Sequence, residues 1–399
     1  MKRIFWGAAV LALGCLGARA QSIDDLNIQL HGYATQGFLY TTNNNIFTTT
    51  SSNGSPAWTE AVVNLTAQPQ SKLRVGVQAR YFVLGNYGNE ITLDWAQADY
   101  KFNDMFGIRA GKVKTPSGMF NEIQDIDPSY MWSLLPQPVY PIGSRNSELA
   151  HYGGVVYGTV KMGAGGKLDY RGWDGERIIG SNDGYFTTLR ESGIVFPDGL
   201  YGVTLGAQMT WHTPLKGLSV GAADSRSEQW SGAVNYSAGE ANVTAETISG
   251  TMTLKPMDQP YFFGRYERAK FMVAGEYTRI QPSLALNLAP AVPAPINYYD
   301  DWRSWYGMAM YKPTSKLSVG IYDTQEIDHK AALGPARYSK DWAFSGRYDF
   351  NEFLYAKAEQ HVIDGTLIDY DLAGSTSGEN PGGLQPNTKL TILKLGVSF

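Results

Sequence analysis

The chain has 399 residues, 33 basic and 37 acidic, for a net charge of −4, with one cysteine and 44 glycines. An acidic balance argues against a nucleic-acid ligand, and a single cysteine excludes a disulfide framework or a thiolate metal site. Beyond the first twenty residues no apolar run approaches the ~18 residues a membrane-spanning helix needs.

In chain order, residues 1–20 read as a secretory signal peptide. Lys2 and Arg3 supply its positive start, residues 4–17 its apolar stretch, and Ala18-Arg19-Ala20 its cleavage site. Cys15 lies inside it, so the mature chain from Gln21 has no cysteine. Loss of Lys2, Arg3 and Arg19 leaves 30 basic against 37 acidic residues, a net charge of −7. Residues 21–399 then form one exported domain.

From residue 26 on, side chains alternate with a period of two, so each strand has one apolar face. Leu73, Val75, Val77, Ala79 and Tyr81 alternate with Arg74, Gly76, Gln78 and Arg80. Ala96, Ala98, Tyr100 and Phe102 alternate with Gln97, Asp99 and Lys101, and the same pattern fills residues 201–212 and 341–350. These stretches of about ten residues match the length of a tilted membrane-crossing strand.

The connections carry more information. Short turns are predicted at residues 69–71, 103–104, 163–166, 213–217, 237–240, 267–269, 312–316 and 351–352. Between them fall mostly longer connections, at 42–57, 115–150, 174–199, 281–300, 325–337 and 364–387. Residues 83–90 and 249–259 are intermediate, and 224–228 is a short exception. Turns at one end and loops at the other define an all-β, transmembrane, antiparallel up-and-down β-barrel. Eight turns with both termini at the turn end favour eighteen strands. One miscounted hairpin would make sixteen, and residues 219–245, rich in small polar side chains, are where that error would sit.

The chain finishes on LTILKLGVSF, with Leu393, Leu395, Val397 and Phe399 on one face. This ending resembles the terminal signature of Gram-negative outer-membrane proteins. The stretch RAGKVKTPSGMFNEIQDID (residues 109–127), with Gly111, Pro116 and Gly118, resembles a porin strand leading into its inward-folding loop. LNIQLHGYATQGF (residues 26–38) resembles a porin first strand. The resemblance implies an outer-membrane porin: a water-filled channel for passive diffusion of small hydrophilic solutes or ions, with the loop at 115–150 folded inside. It also implies surrounding lipid and lipopolysaccharide, a homotrimer, and barrel-insertion machinery that reads Phe399. General porins have sixteen strands and some substrate-specific ones eighteen.

Parity places Arg74, Arg80, Asp99, Lys101, Arg109, Asp169, Arg171, Arg347, Lys357 and Glu359 toward the lumen, whereas Lys112 and Lys114 fall on the opposite parity. The loop carries Glu122, Asp125, Asp127 and Glu148 against Arg145, together with Tyr130, Trp132 and Tyr140. Folded inward, its acids would face the wall arginines across a constriction. The expected pore set is therefore Arg74, Arg80, Asp99, Lys101, Arg109, Glu122, Asp125, Asp127, Arg171 and Arg347. No cofactor, metal or catalytic residue is expected, since the five histidines form no H-x-x-x-H pair. The alternatives are a barrel with a binding or structural role, or a lipid hydrolase on the barrel wall. The latter needs a Ser–His pair facing lipid, and parity turns His212 and His361 inward.

Overall fold

The computed structural model describes residues 26–191, 193–237, 247–367, 380 and 382–399. The signal peptide lies outside these residues. Twenty strands follow in chain order. The first ten are β1 (Gln29–Thr41), β2 (Ser55–Gln70), β3 (Leu73–Leu84), β4 (Tyr87–Asn103), β5 (Phe106–Lys114), β6 (Ala150–Lys161), β7 (Lys167–Ile179), β8 (Ile194–Val195), β9 (Leu200–His212) and β10 (Leu218–Ser237). The others are β11 (Thr247–Leu254), β12 (Met257–Arg268), β13 (Phe271–Ile280), β14 (Ser283–Asn287), β15 (Ile296–Tyr299), β16 (Trp302–Tyr311), β17 (Leu317–Asp328), β18 (Tyr338–Asp349), β19 (Leu354–Gly365) and β20 (Asn387–Ser398).

Sixteen of them close into an antiparallel barrel. Successive strands pair directly except where β7 reaches β9, β10 reaches β12 and β13 reaches β16, leaving β8, β11, β14 and β15 outside the wall. The last strand closes on the first, in register from Tyr33 opposite Ser398 to Thr41 opposite Leu390. Gly32 and Phe399 then exchange two backbone hydrogen bonds of 3.0 Å. Closure leaves no unpaired edge, which a sheet in lipid requires.

The strand count is sixteen, the second of the two expected values, and the difference sits in the 219–245 region. Seven predicted turns join barrel strands. The eighth, at 237–240, runs into residues outside the described ones. Residues 224–228, read as a connection, lie within β10, a single strand of 20 residues. Leu218–Ser227 of β10 pairs with β12, and Trp230–Ser237 pairs with β11. A register shift between Glu228 and Ser231 separates the two halves, with Gln229 at φ 56°. The upper half stands beyond the wall and seeds an outer sheet. That sheet covers Phe186, Phe196, Trp230, Val234, Met252 and Leu288.

The outward face is the apolar one. Leu393 and Leu395 are each 52% exposed, whereas Lys394 between them is 4% exposed. Near the short turns, Phe102 stacks on Phe106 and Phe271 on Tyr311, as in an aromatic girdle.

Candidate functional site

Residues 115–149, between β5 and β6, run inside the barrel. Two glycines take conformations that other residues rarely adopt, one within β5 ahead of the loop and one in the loop itself. Gly111 has φ +127°, and a side chain there would meet the Ala96 carbonyl. Gly118 has φ +72° and sits where a Cβ would lie 2.5 Å from Glu276 Oε1. The loop therefore enters in direct contact with the wall.

One flank of the loop is apolar. Phe120, Met131, Trp132, Leu135, Val139 and Tyr140 pack on Tyr261, Met272, Ala274, Tyr306, Met308 and Tyr322 of the wall. Burial of this kind stabilises by roughly 25 cal/mol per Å² of apolar surface removed from water. A buried carboxylate orders the contact: Glu276 accepts hydrogen bonds from Tyr140 Oη (2.5 Å), Tyr306 Oη (2.9 Å) and the Met119 amide (3.0 Å).

The other flank is ionic. Glu122 pairs with Arg109 at 2.8 Å and Arg171 at 3.3 Å. Asp125 pairs with Lys114 at 2.6 Å and accepts from Gln78 (2.8 Å) and Trp95 (3.2 Å). Asp127 is held by Lys394 (2.8 Å), Lys357 (2.9 Å) and Tyr355 Oη (2.7 Å), all fully buried. Arg145 forms a bidentate pair with Asp94 at 3.0 and 2.9 Å. Burial raises the Asp127 carboxyl, but Lys357 and Lys394 outweigh it and hold the group well below the usual carboxylate range. Burial likewise opposes Glu122, and Arg171 and Arg109 prevail in lowering it. Further tethers run from Arg347 to the carbonyls of Pro128 (2.6 Å) and Tyr130 (3.0 Å), and from the amides of Ser133 and Leu134 to Glu359 (3.0 and 3.1 Å).

The expected pore residues thus separate into groups. Glu122, Asp125 and Asp127 touch wall cations directly; they do not face them across open water. Arg109, Arg171 and Arg347 are loop tethers, and Asp99 bonds Arg109 (3.2 Å) and Tyr157 Oη (2.5 Å). Arg80 pairs with Glu60 at 2.6 Å and donates to Asn146 of the loop at 3.1 Å. Arg74 and Lys101 lie apart from the loop, near the short-turn mouth. Among the described residues Arg74 reaches Thr66 Oγ1 alone, at 3.4 Å, and Lys101 pairs with Asp104 of the turn at 2.8 Å. Beside the loop a cavity of about 30 Å³ remains, bounded by Glu60, Arg80, Asp127, Tyr130, Arg145 and Lys394.

Sequence reasoning missed several participants, Glu60 and Tyr355 and the following four among them. Asp94 sits at a register shift between β3 and β4, so it and Trp95 both turn inward against strict alternation. Lys114, at the end of β5, escapes its strand parity to reach Asp125. Lys394 lies on the inner face of β20 with nothing in its sequence surroundings to mark a counterion. Glu276 follows the alternation of β13, but its partner Tyr140 is distant in sequence.

The assembled architecture, a closed barrel with a long loop pinned within it, is that of the porins. OmpT of Vibrio cholerae, expressed in the outer membrane, has the same fold over 96% of this chain and 100% of its own, with a TM-score of 0.56 at 11% identity. OmpF of Salmonella typhi, in complex with daunomycin, matches over 95% and 99%, with a TM-score of 0.56 at 13% identity. The anion-selective porin from Comamonas acidovorans matches over 94% and 99%, with a TM-score of 0.54 at 10% identity. No family model and no curated protein matches the chain.

Proposed function

We propose that this protein is an outer-membrane porin, a passive channel for small hydrophilic solutes and ions whose bore is set by the loop at 115–149. The observation that carries this reading is the ionic flank of the loop. Buried charges fix it to the wall, and the small polar cavity beside it, bounded by Arg80, Arg145 and Lys394 and by Glu60 and Asp127, marks under this reading the narrow gap of the bore. Charges in such a gap act strongly on passing ions, because low-dielectric walls focus their field. The pore set named from the sequence acts in two ways under this reading. Arg80 and Asp127 line the gap; Asp127 with Arg109, Glu122, Asp125, Arg171 and Arg347 also holds the loop that forms it, Asp99 positions Arg109, and Arg74 and Lys101 stand apart at the short-turn mouth.

The same reading includes export with cleavage after residue 20, insertion assisted by machinery that recognises the strand ending in Phe399, lipopolysaccharide and lipid around the apolar band, and a homotrimer. The test is reconstitution of the mature chain into planar bilayers. Discrete single-channel steps, with a reversal potential in a salt gradient that responds to Arg80→Gln, are expected. A folded barrel that conducts nothing would refute the channel.

A further inference from the structure

We infer that the short-turn mouth of the barrel contains a binding site for a small dianion of the phosphate class, separate from the gap beside the loop. This rests on the channel reading only in that the solute would arrive through the same lumen. The site is a cavity of about 380 Å³, walled by Gln29, Lys72, Arg74, Asp99, Lys101 and Tyr157 among others. That volume falls within the ~300–1,000 Å³ typical of small-ligand sites.

The charges around it are unequal. Its lining carries three cations, Lys72, Arg74 and Lys101, and one carboxylate, Asp99. Asp99 is already engaged, bonded to Arg109 at 3.2 Å and to Tyr157 Oη at 2.5 Å, so it does not neutralise the three cations. Lys101 shares its charge with Asp104 at 2.8 Å. Arg74 makes one long contact, 3.4 Å to Thr66 Oγ1, and Lys72 has no side-chain partner among the described residues. These two free cations are the principal ligands. Their positions follow from local structure: Lys72 occupies the turn between β2 and β3, and Arg74 lies two residues on, facing inward.

A guanidinium presents a planar fork matched to phosphate oxygens, and an ammonium adds a point charge. The Tyr157 hydroxyl donates to Asp99, and Gln29 and Asn27 are among the neutral donors that remain for the ligand. A dianion matches the two cations, Lys72 and Arg74, that have no carboxylate partner among the described residues, whereas a monovalent ion such as chloride gains half the Coulomb attraction and no bidentate geometry.

The test is isothermal calorimetry of the detergent-folded barrel with inorganic phosphate at low ionic strength. One phosphate per chain is expected, not displaced by equimolar chloride. The double variant K72Q/R74Q should weaken binding at least tenfold. Lys216→Gln, at the same mouth but outside the cavity, should leave binding within twofold of the parent. No phosphate binding by the unaltered barrel overturns the inference without recourse to any variant. Equal losses from K72Q/R74Q and Lys216→Gln also overturn it, since general surface charge would then account for the attraction. The calorimetry needs no conductance, so a non-conducting barrel that binds phosphate would refute the channel alone, and a conducting barrel that does not would refute this site alone.

Discussion

Replacing Asp127 by Asn tests how the inward loop is held. The substitution keeps the shape of the side chain and removes its charge. Lys357, Lys394 and Tyr355 all converge on this carboxylate, and the two ammonium groups are at most 2% exposed. Removing one partner of a buried ion pair costs about 3–5 kcal/mol, because the other charge stays behind uncompensated. Here backbone carbonyls soften the loss: Lys357 also donates to those of Asp127 and Trp132, and Lys394 to that of Ser133. The low end, about 3 kcal/mol, is therefore expected, which multiplies the population of the undocked loop by about 100. Glu122→Gln is the comparison. Its arginine partners are 21% and 29% exposed, and such solvated pairs contribute about 1 kcal/mol or less.

In single-channel recordings the Asp127→Asn barrel should show frequent long-lived excursions to higher conductance, and protease should cleave residues 115–149 faster in the folded barrel. Thermal unfolding of the barrel should change little, since the wall is held by backbone ladders the substitution does not touch. The depressed Asp127 carboxyl also fixes a pH window. This clamp is fully present above the unfolded value near ~3.9, and is lost only as pH falls through the lower folded value. Parent and Asp127→Asn should therefore still differ at pH 4. Identical recordings and cleavage rates for the parent, Asp127→Asn and Glu122→Gln would refute the reasoning.

Three further outcomes are expected. Deleting Phe399 removes its two backbone bonds to Gly32 and its ring from the turn-end seam; gel mobility of unheated samples should show less assembled barrel, while surviving channels conduct as the parent does. Arg80→Gln takes a cation from the gap beside Glu60 and should shift the reversal potential toward cation selectivity, whereas Arg74→Gln, at the mouth, should shift it less; equal shifts would place Arg74 in the gap. Burial, reinforced by Asp328 and opposed by a hydrogen bond with Tyr298, pushes Asp300 up to about 6. The folded state then holds the extra proton between about pH 6 and the unfolded ~3.9, so protection factors around residues 281–300, with the intrinsic pH dependence of exchange divided out, should rise as pH falls through 6, and Asp300→Asn should abolish that rise.

The barrel was legible because its signals are local. Alternation needs only neighbours along one strand, and turns such as residues 163–166 and 312–316 announce themselves in a few residues. The exception is instructive. The small polar residues at 224–228 read as a break between strands, yet they lie in β10, where Ser225 pairs with Gly206 on one side and Gln259 on the other. Paired on both edges, residues of weak strand propensity still form strand, since such propensity is largely context. Polar-inside parity also weakens where the loop packs, because Met272, Ala274, Tyr306 and Met308 face inward onto an apolar surface. The site was half legible. Charges on the loop and wall could be assembled, but not matched: that Asp127 meets Lys394 depends on contacts 267 residues apart. Asp94 was hidden by a bulge, which shifts parity without leaving a residue-type signature.

At about 3.3 Å per residue, the 20 residues of β10 extend about 66 Å, well over twice the ~25 Å apolar height of such barrels. The same strand that lines the wall below carries the outer sheet above, with no linker between them. A load on that sheet would pass into the wall through a continuous hydrogen-bonded ribbon. The outer sheet is thus mechanically part of the barrel and not an appendage: tension on β11, β14 or β15 meets the shear resistance of the ladders that β10 forms with β9 and β12.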